Sequence, residues 1–470
     1  MLSDVIAALS TAPGRAAIAL VRASGEGALE VTGRTVRRRD GAPLSLSRLE
    51  PRRPVLARIV DSSGRAIDEA LVTVFRAPDS YTGHDLVEIS CHGGLLVPAQ
   101  ILAALFEAGA REALPGEFTR RAVLNGKLDL LQAEAIGDLV DATAPAQGRA
   151  ALHQLDGGLS RRLQELREAA LEVMALLSYD IDFPEEDEGP VPAERIRSRF
   201  EALRSEVEIL LTTAPAGERL REGALVVLAG RPNAGKSSLF NALLGSERAL
   251  VTEIPGTTRD TIEAPTEMEG WPVRLADTAG LRDADERIER MGIEVSRRYV
   301  GAADLLLLCV ESGRPVDPGE REILSQRPAV LVRTKTDLVP IPERESEEGI
   351  PVSALSGEGL ARLREEIAAK LFTEGRSYAD LAPMLTRERH RIALQRARAA
   401  LESARPELPS RPDRDSGGAW SRRAPAGGAG DPVLAAHHVR NAVDALDELI
   451  GVVHPDEVLG RVFERFCVGK

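Results

Sequence analysis

The octapeptide Gly230-Arg231-Pro232-Asn233-Ala234-Gly235-Lys236-Ser237 constrains this chain more than any other feature. It satisfies G-x-x-x-x-G-K-[ST], with a strand-like run before it and a helix-like run after it. Ala224-Leu225-Val226-Val227-Leu228-Ala229 is an unbroken apolar stretch, the pattern of a parallel strand buried on both faces. Ser238-Leu239-Phe240-Asn241-Ala242-Leu243-Leu244 has helical periodicity. In that setting the glycines let the backbone curl so that successive N–H groups point at phosphate oxygens. Lys236 supplies a point charge to the outer phosphates and Ser237 a hydroxyl to Mg²⁺.

Four further elements follow in the order a guanine-nucleotide domain requires. Gly256-Thr257-Thr258-Arg259-Asp260 stands where a switch threonine completes the Mg²⁺ shell, a role expected of Thr258. Val273-Arg274-Leu275-Ala276-Asp277-Thr278-Ala279-Gly280 is a strand ending in D-x-x-G. Asp277 is expected to hold Mg²⁺ through water, and the Gly280 N–H to sense the γ-phosphate. Ala329-Val330-Leu331-Val332 leads into Thr334-Lys335-Thr336-Asp337, at the place of N-K-x-D. Asp337 can accept both the N1–H and the N2–H₂ of guanine, a pair of donors that adenine lacks. Ser353-Ala354-Leu355 matches the short turn that backs the base. The expected GTP contacts within the phosphate loop are Asn233, Ala234, Gly235, Lys236, Ser237 and Ser238.

Two positions depart from the usual pattern. Thr334 replaces asparagine, and a hydroxyl keeps only part of an amide's hydrogen bonding, so selectivity is expected to rest on Asp337 with weaker nucleotide affinity. Leu281 follows D-x-x-G where many GTPases carry a glutamine that orients water, and an aliphatic side chain cannot polarise water. Asn233 and Glu289 are the candidates to replace it, although Glu289 also reads as a solvated helix charge.

At 470 residues the chain exceeds one core, so several domains are expected. Aromatics make up only 3%, which leaves the packing to aliphatic side chains. The net charge of −13 argues against an extensive nucleic-acid surface, since phosphate binding draws on clustered Lys and Arg. Runs such as Arg37-Arg38-Arg39 and Arg387-Glu388-Arg389-His390-Arg391 read first as solvated surface charge. Cys91, Cys309 and Cys467 have no metal-ligand spacing, and no disulfide framework is apparent, as fits a reducing cytosol. No signal peptide or membrane span is expected, and the location is read as cytoplasmic.

Four stretches are separable, giving a multidomain α/β plus all-α class. Residues 1–118 form an α/β domain, with strands expected around Ala17–Val21, Ala70–Phe75 and Leu86–Ser90 and a helix from Val97 to Ala108. Residues 119–220 turn helical: Leu159, Leu163, Leu166, Ala170, Val173 and Leu177 mark one apolar face, and Phe200, Leu203, Val207 and Leu210 another. The acidic run Phe183 to Pro190 separates these two helices. Residues 221–375 form the P-loop (Ras-like) domain. Residues 376–470 are helical again, with helices expected from His390 and over Val433–Ile450, and a mobile loop at 405–431. A helical region interrupted in this way implies an inserted P-loop domain.

The residues outside the nucleotide motifs resemble the MnmE (TrmE) family of tRNA-modification GTPases over essentially the whole length. They are Thr11-Ala12-Pro13-Gly14-Arg15, Tyr81-Thr82-Gly83-His84-Asp85, Cys91-His92-Gly93-Gly94, Pro115 to Ala122, Leu124 to Leu130, Ile181-Asp182-Phe183-Pro184 and the terminal Phe466-Cys467-Val468-Gly469-Lys470. The family tail is C-[IL]-G-K, so Val468 is a mild substitution. The resemblance implies a homodimer that works in a heterotetramer with MnmG, an FAD- and NADH-dependent partner, on tRNA. Together they add an aminomethyl or carboxymethylaminomethyl group at carbon 5 of the wobble uridine, and GTP hydrolysis drives a conformational cycle. The one-carbon unit comes from 5-formyltetrahydrofolate or another one-carbon tetrahydrofolate in the N-terminal α/β domain. The family's folate contacts fall on Arg22, Glu88, Lys127 and Lys470.

The resemblance also implies K⁺ where other GTPases use an arginine, coordinated by Asn233, Thr252, Ile254 and Thr257. The surrounding loop runs Thr252-Glu253-Ile254-Pro255-Gly256-Thr257, and Glu289 matches the glutamate that positions water. Cys467 is open between nucleophile and packing in the folate pocket. Two other classes compete. A ribosome-assembly GTPase would need a basic RNA-binding appendage, whereas the C-terminal part has only scattered basic residues. An autonomous folate-dependent methyltransferase leaves the built-in GTPase unexplained.

Overall fold

The structure, a computed structural model, describes residues 3–182, 191–245, 263–277, 299–339, 348–372, 383–409 and 430–451, with 462, 463, 466, 468 and 469. The acidic run at 183–190 and most of the expected loop at 405–431 therefore lie outside the described residues. Contacts divide the chain into two units, Met1–Gly137 with Asp447–Lys470, and Asp138–Leu446.

The first unit contains β1 (Ile6–Leu9), β2 (Ile18–Ser24), α1 (Ala28–Gly33), β3 (Val36–Arg37), β4 (Val55–Val60), β5 (Ala66–Phe75), β6 (Leu86–His92), α2 (Leu96–Glu107), β7 (Arg111–Glu112), α3 (Glu117–Leu124) and the start of α4 (Leu130–Asp141). The strands form one sheet in the order β3-β4-β5-β6-β2-β1-β7, antiparallel except for β1 with β7. Alternation along each strand sends Val21, Ile59, Val72, Val74, Val87 and Ile89 to one face, where Ile101 and Leu105 of α2 complete the core. The opposite face is covered at one end by Phe118 of α3, packed with Ile6, Ala8 and Leu86. Elsewhere on it Leu56 and Leu71, paired across β4 and β5, are exposed.

Residues beyond 118 also pack on this unit. Phe463 and Phe466 close a small cluster with Val123 of α3 and Leu130 and Ala133 of α4. An ionic cluster fixes α3. Arg121, with its side chain fully buried, donates to Glu117 Oε1 at 2.8 Å and to Asp4 Oδ1 at 2.7 Å. Arg111 reaches Glu117 Oε2 at 2.8 Å from the other side. Burial opposes ionisation of Glu117, but the bonds from Arg111, the Leu114 N–H and Arg121 outweigh it and hold the carboxyl low.

The second unit opens with α5 (Pro145–Leu155), α6 (Gly158–Asp182), α7 (Ala193–Thr212) and α8 (Ala214–Glu222). The two expected apolar stripes are buried in full on α6 and α7. There follow β8 (Ala224–Ala229), α9 (Lys236–Leu244), β9 (Glu263–Met268), β10 (Trp271–Asp277), β11 (Leu305–Glu311), α10 (Pro318–Gln326), β12 (Ala329–Thr334), β13 (Ile350–Pro351) and α11 (Leu360–Phe372). The sheet order is β13-β12-β11-β8-β10-β9, and among the described residues β9–β10 is its one antiparallel pair. Val226 and Leu228 face one core and Leu225 and Val227 the other, as a parallel strand covered on both sides requires. Helix α12 (Glu388–Ala404) then returns to α7, where Arg204 meets Glu402 at 3.2 Å and Arg398 meets Glu208 at 3.5 Å. Helix α13 (Pro432–Ile450) ends the described helices.

Arg121→Met is expected to destabilise the first unit by about 3 kcal/mol, because it takes away one of the two arginines that pair with Asp4 and with the buried Glu117. Urea unfolding of the full chain checks this, with a lower midpoint and unchanged nucleotide binding as the expected result.

Candidate functional site

The loop between β8 and α9 is bent by backbone geometry that few residues tolerate. Gly230 has φ 141°, and a Cβ there would lie 2.4 Å from the Cys309 carbonyl of β11. Gly235 has φ 79° and Asn233 φ 63°, both left-handed, where glycine and asparagine are the residues least penalised. The loop sits at the C-terminal end of β8, between β10 and β11, which is where ligands bind on open α/β sheets. Lys236 begins α9, is largely buried, and donates to the carbonyls of Gly230 at 3.1 Å and Arg231 at 2.8 Å. Its ammonium is thereby held over the concave side of the loop. Burial pushes the Cys309 thiol beneath it up to about 12, more than nearby Lys236 lowers it, so Cys309 packs as an inert thiol.

Adjacent strands bring the remaining described residues to the same edge. Ser237 Oγ donates to Asp277 Oδ2 at 2.7 Å, placing a hydroxyl and a carboxylate together at the mouth of the loop. These are the hard oxygen donors that Mg²⁺ prefers. Thr334 Oγ1 donates to the Ala234 carbonyl at 2.8 Å, so the hydroxyl ties the end of β12 to the phosphate loop. Lys335 has φ 59° and pairs with Glu311 at the end of β11. The fully buried Ser353 donates to Asp337 Oδ1 at 2.7 Å and accepts from the Ser356 N–H at 3.1 Å, which fixes the orientation of the Asp337 carboxylate. Ala354 and Leu355 continue that turn, and Leu355 is exposed. Thr252, Glu253, Ile254, Pro255, Gly256, Thr257, Thr258, Thr278, Ala279, Gly280 and Glu289 lie outside the described residues.

One anchor of the loop was not singled out from the sequence. Arg231 pairs with Asp317 and lies 3.8 Å from Glu320, and these two acids form the capping box of α10. The signal was legible as D-P-x-E, a capping-box pattern with proline at the first helical position.

The first unit holds a second constellation. Arg22 on β2 lies directly opposite Glu88 on β6, with Nε donating to Oε1 at 2.8 Å. The Arg22 guanidinium carbon lies 5.9 Å from the centre of the Tyr81 ring, and the Tyr81 hydroxyl bonds Thr119 at 2.8 Å. The 81–84 turn leads to Lys127, since a Cβ on Gly83 would meet Lys127 Cγ at 3.4 Å. At the chain's end, the Gly469 carbonyl accepts from Ser10 Oγ at 3.0 Å, and Ser10 is bonded to Leu20 of β2. Cys467 and Lys470 lie outside the described residues. In the sequence Tyr81 stands out only as part of a motif, and no local pattern marks it as a neighbour of Arg22.

Residues 5–127 match the family described as GTP-binding protein TrmE N-terminus, and residues 130–467 match the MnmE helical domain. The tRNA modification GTPase MnmE of a Thermus thermophilus strain is 43% identical over 470 residues, covering 100% of this chain and 99% of its own. The protein of that name from Akkermansia muciniphila is 39% identical over 468 residues, covering 99% and 98%. Of solved structures, the G domain of the T. maritima FeoB iron transporter matches at 31% identity over 31% of this chain and 98% of its own, with a TM-score of 0.24.

Asp337→Asn is expected to lower the preference for guanine over adenine nucleotides by about 10- to 100-fold, the loss of one charged hydrogen bond. Thr334→Asn is expected to tighten guanine-nucleotide binding by about fivefold. Titration with a fluorescent GDP measures both, and an unchanged or weaker affinity in Thr334→Asn would show that the Ala234 bond already compensates.

Proposed function

Because this chain belongs to the MnmE (TrmE) family of tRNA modification GTPases, we propose that it is a potassium-stimulated GTP hydrolase acting with MnmG on the wobble uridine of tRNA. The observation that carries the hydrolytic half is the convergence of Lys236, Ser237, Asp277, Thr334, Asp337 and Ser353 on one sheet edge. Lys236 and the loop N–H groups bind the phosphates, and Asp337, held by Ser353, reads the base. Ser237, Thr258 and Asp277 are the proposed Mg²⁺ residues, and the bound ion would neutralise charge on the β- and γ-phosphates. Asn233, Thr252, Ile254 and Thr257 are the proposed K⁺ ligands, supplying a cation where other GTPases use an arginine. Glu289 orients the attacking water in this reading.

Arg22, Glu88, Lys127 and Lys470 are proposed to bind a one-carbon tetrahydrofolate. A carboxylate such as Glu88 pairs with the amide-like edge of a pterin, and Arg or Lys suits the anionic glutamate tail. The juxtaposition of Arg22 and Glu88 beside the Tyr81 ring, with the Gly469 carbonyl bonded next to β2, supports this placement. Cys467 is proposed to reach the same pocket, as nucleophile or as packing. The exposed Ile18, Leu56 and Leu71 on the open sheet face support a homodimer formed through this unit. The proposed domain limits remain 1–118, 119–220, 221–375 and 376–470, and the proposed location is the cytoplasm. Among the described residues no helix is long and apolar enough to cross a membrane.

GTP turnover is expected to be faster in K⁺ than in Na⁺, and Asn233→Ala to abolish that preference with nucleotide binding kept. Glu289→Ala is expected to lower kcat by about 10²- to 10⁴-fold with little change in GTP affinity. Equal wild-type rates in the two salts would refute the potassium assignment.

Glu88→Ala is expected to lose binding of 5-formyltetrahydrofolate while hydrolysis persists, because the nucleotide residues belong to the other unit. Calorimetric titration of wild type and variant decides this, and identical affinities would show the pocket to be misplaced.

A further inference from the structure

The hairpin of β9 and β10 joins the two switch sequences and has its turn lodged against helices outside the nucleotide domain. Gly256-Thr257-Thr258-Arg259-Asp260 precedes β9, and Thr278-Ala279-Gly280 follows β10, so both hang from the hairpin's open end. At that end Asp277 accepts from Ser237 of the phosphate loop. The closed end is a tight turn with Glu269 at φ 51° and Gly270 at φ 82°. There the Gly270 carbonyl accepts from the Ala146 N–H at 3.0 Å. Ala146 is in the first turn of α5, where N–H groups have no acceptor within the helix, so the hairpin turn supplies one of the acceptors α5 needs.

Trp271, the next residue, stacks on Phe372, the last residue of α11, with ring centres 4.6 Å apart and planes 7° from parallel. It also packs against a cluster of Ala146, Leu220 of α8 and Met384 just before α12. Arg274, further along β10, donates to the Gly223 carbonyl at 3.2 Å. The helices that receive the turn are themselves tied together. Asp138 Oδ1 accepts from Arg221 Nε at 2.9 Å and from Arg387 Nη2 at 2.7 Å, one arginine on each side of the nucleotide domain.

We infer that the β9–β10 hairpin is the strut through which the nucleotide site and the helical segments act on each other, with Trp271 as its positioning residue. This rests on the GTPase reading above. A seven-residue strand spans about 20 Å and is stiffened here by pairing on both sides, so a displacement at Asp277 is carried to Trp271 rather than absorbed. The stack on Phe372 holds the Trp271 ring to the nucleotide domain, so relative movement is taken up where that ring meets Ala146, Leu220 and Met384.

The chain has two tryptophans, Trp271 and Trp420, the latter outside the described residues. Full-length Trp420→Phe therefore reports on Trp271 alone. With Mg²⁺ and K⁺ present, its emission is expected to differ between saturation with GDP and with a non-hydrolysable GTP analogue. Phe372→Leu in that background is expected to remove the difference while both nucleotides still bind. In cells lacking their own family member, Trp271→Ala is expected to lower wobble-uridine modification by about 5- to 150-fold. Its GTP turnover is expected to stay within about threefold of wild type. Trp271→Phe, which keeps a ring on Phe372, is expected to restore modification.

Identical emission in the two saturated states would overturn the inference. So would a Trp271→Ala protein whose turnover and modification fall together by the same factor, or one in which neither changes. If Trp271→Ala does not fold, the emission comparison decides alone. Failure of Trp420→Phe to bind either nucleotide would instead sink the GTPase reading itself.

Discussion

A domain inserted into a helical region must leave and rejoin it at nearly the same place, and one carboxylate meets that requirement here. Asp138 holds Arg221, three residues before β8, and Arg387, at the threshold of α12, through charge-assisted bonds to a single oxygen. Nearby the Thr213 hydroxyl accepts from the Leu385 N–H at 3.1 Å, and a Cβ on Gly217 would lie 2.1 Å from the Leu385 carbonyl. The outgoing and returning backbones therefore pass closer than any side chain on Gly217 allows. With the two crossings fixed, the packing of α12 on α7 and the docking of the β9–β10 turn on α5 follow as local consequences.

Within the inserted domain the controlling factor is the depth of β8. A strand buried on both faces cannot carry the chemistry, so every functional group sits where strands end and backbone N–H groups become available. Neighbouring strands then tie those ends together with short side chains. Ser237 reaches Asp277, Thr334 reaches Ala234, and Ser353 reaches Asp337. Each is a hydroxyl making a bond of 2.7–2.8 Å, and each fixes a group that is proposed to face phosphate, metal or base.

What the sequence revealed and what it concealed divide along the range of the interactions. Strand β8 was legible residue for residue, because its run of apolar residues has no other use. The stripes on α6 and α7 were legible because their spacing is local. The tie from Thr334 to Ala234 was only partly legible: the hydroxyl's capacity to bond was evident, but its partner lies 100 residues earlier. Phe463 and Phe466 packing on Val123 and Leu130, and Trp271 meeting both flanks of the inserted domain, depend on contacts that no periodicity encodes. Arg22 and Glu88 were identified through resemblance, and their direct pairing across β2 and β6 came only from strand register.

That pairing bears on how the open sheet face can bind anything at all. Two opposite charges facing each other on adjacent antiparallel strands stabilise the sheet by only about 0.2–1 kcal/mol. Arg22 and Glu88 are each about one-quarter to one-fifth exposed, so neither depends on the other to offset deep burial. A ligand that offers an amide-like edge to the carboxylate and an anion to the guanidinium gives each group a charged hydrogen bond, about 1.5–3 kcal/mol apiece. Exchange of the pair for such a ligand leaves neither charge unpaired, while the pair itself keeps both side chains together beside Tyr81. The ion pair thus holds a carboxylate and a guanidinium, both partly exposed, side by side on the open face, as the proposed ligand requires.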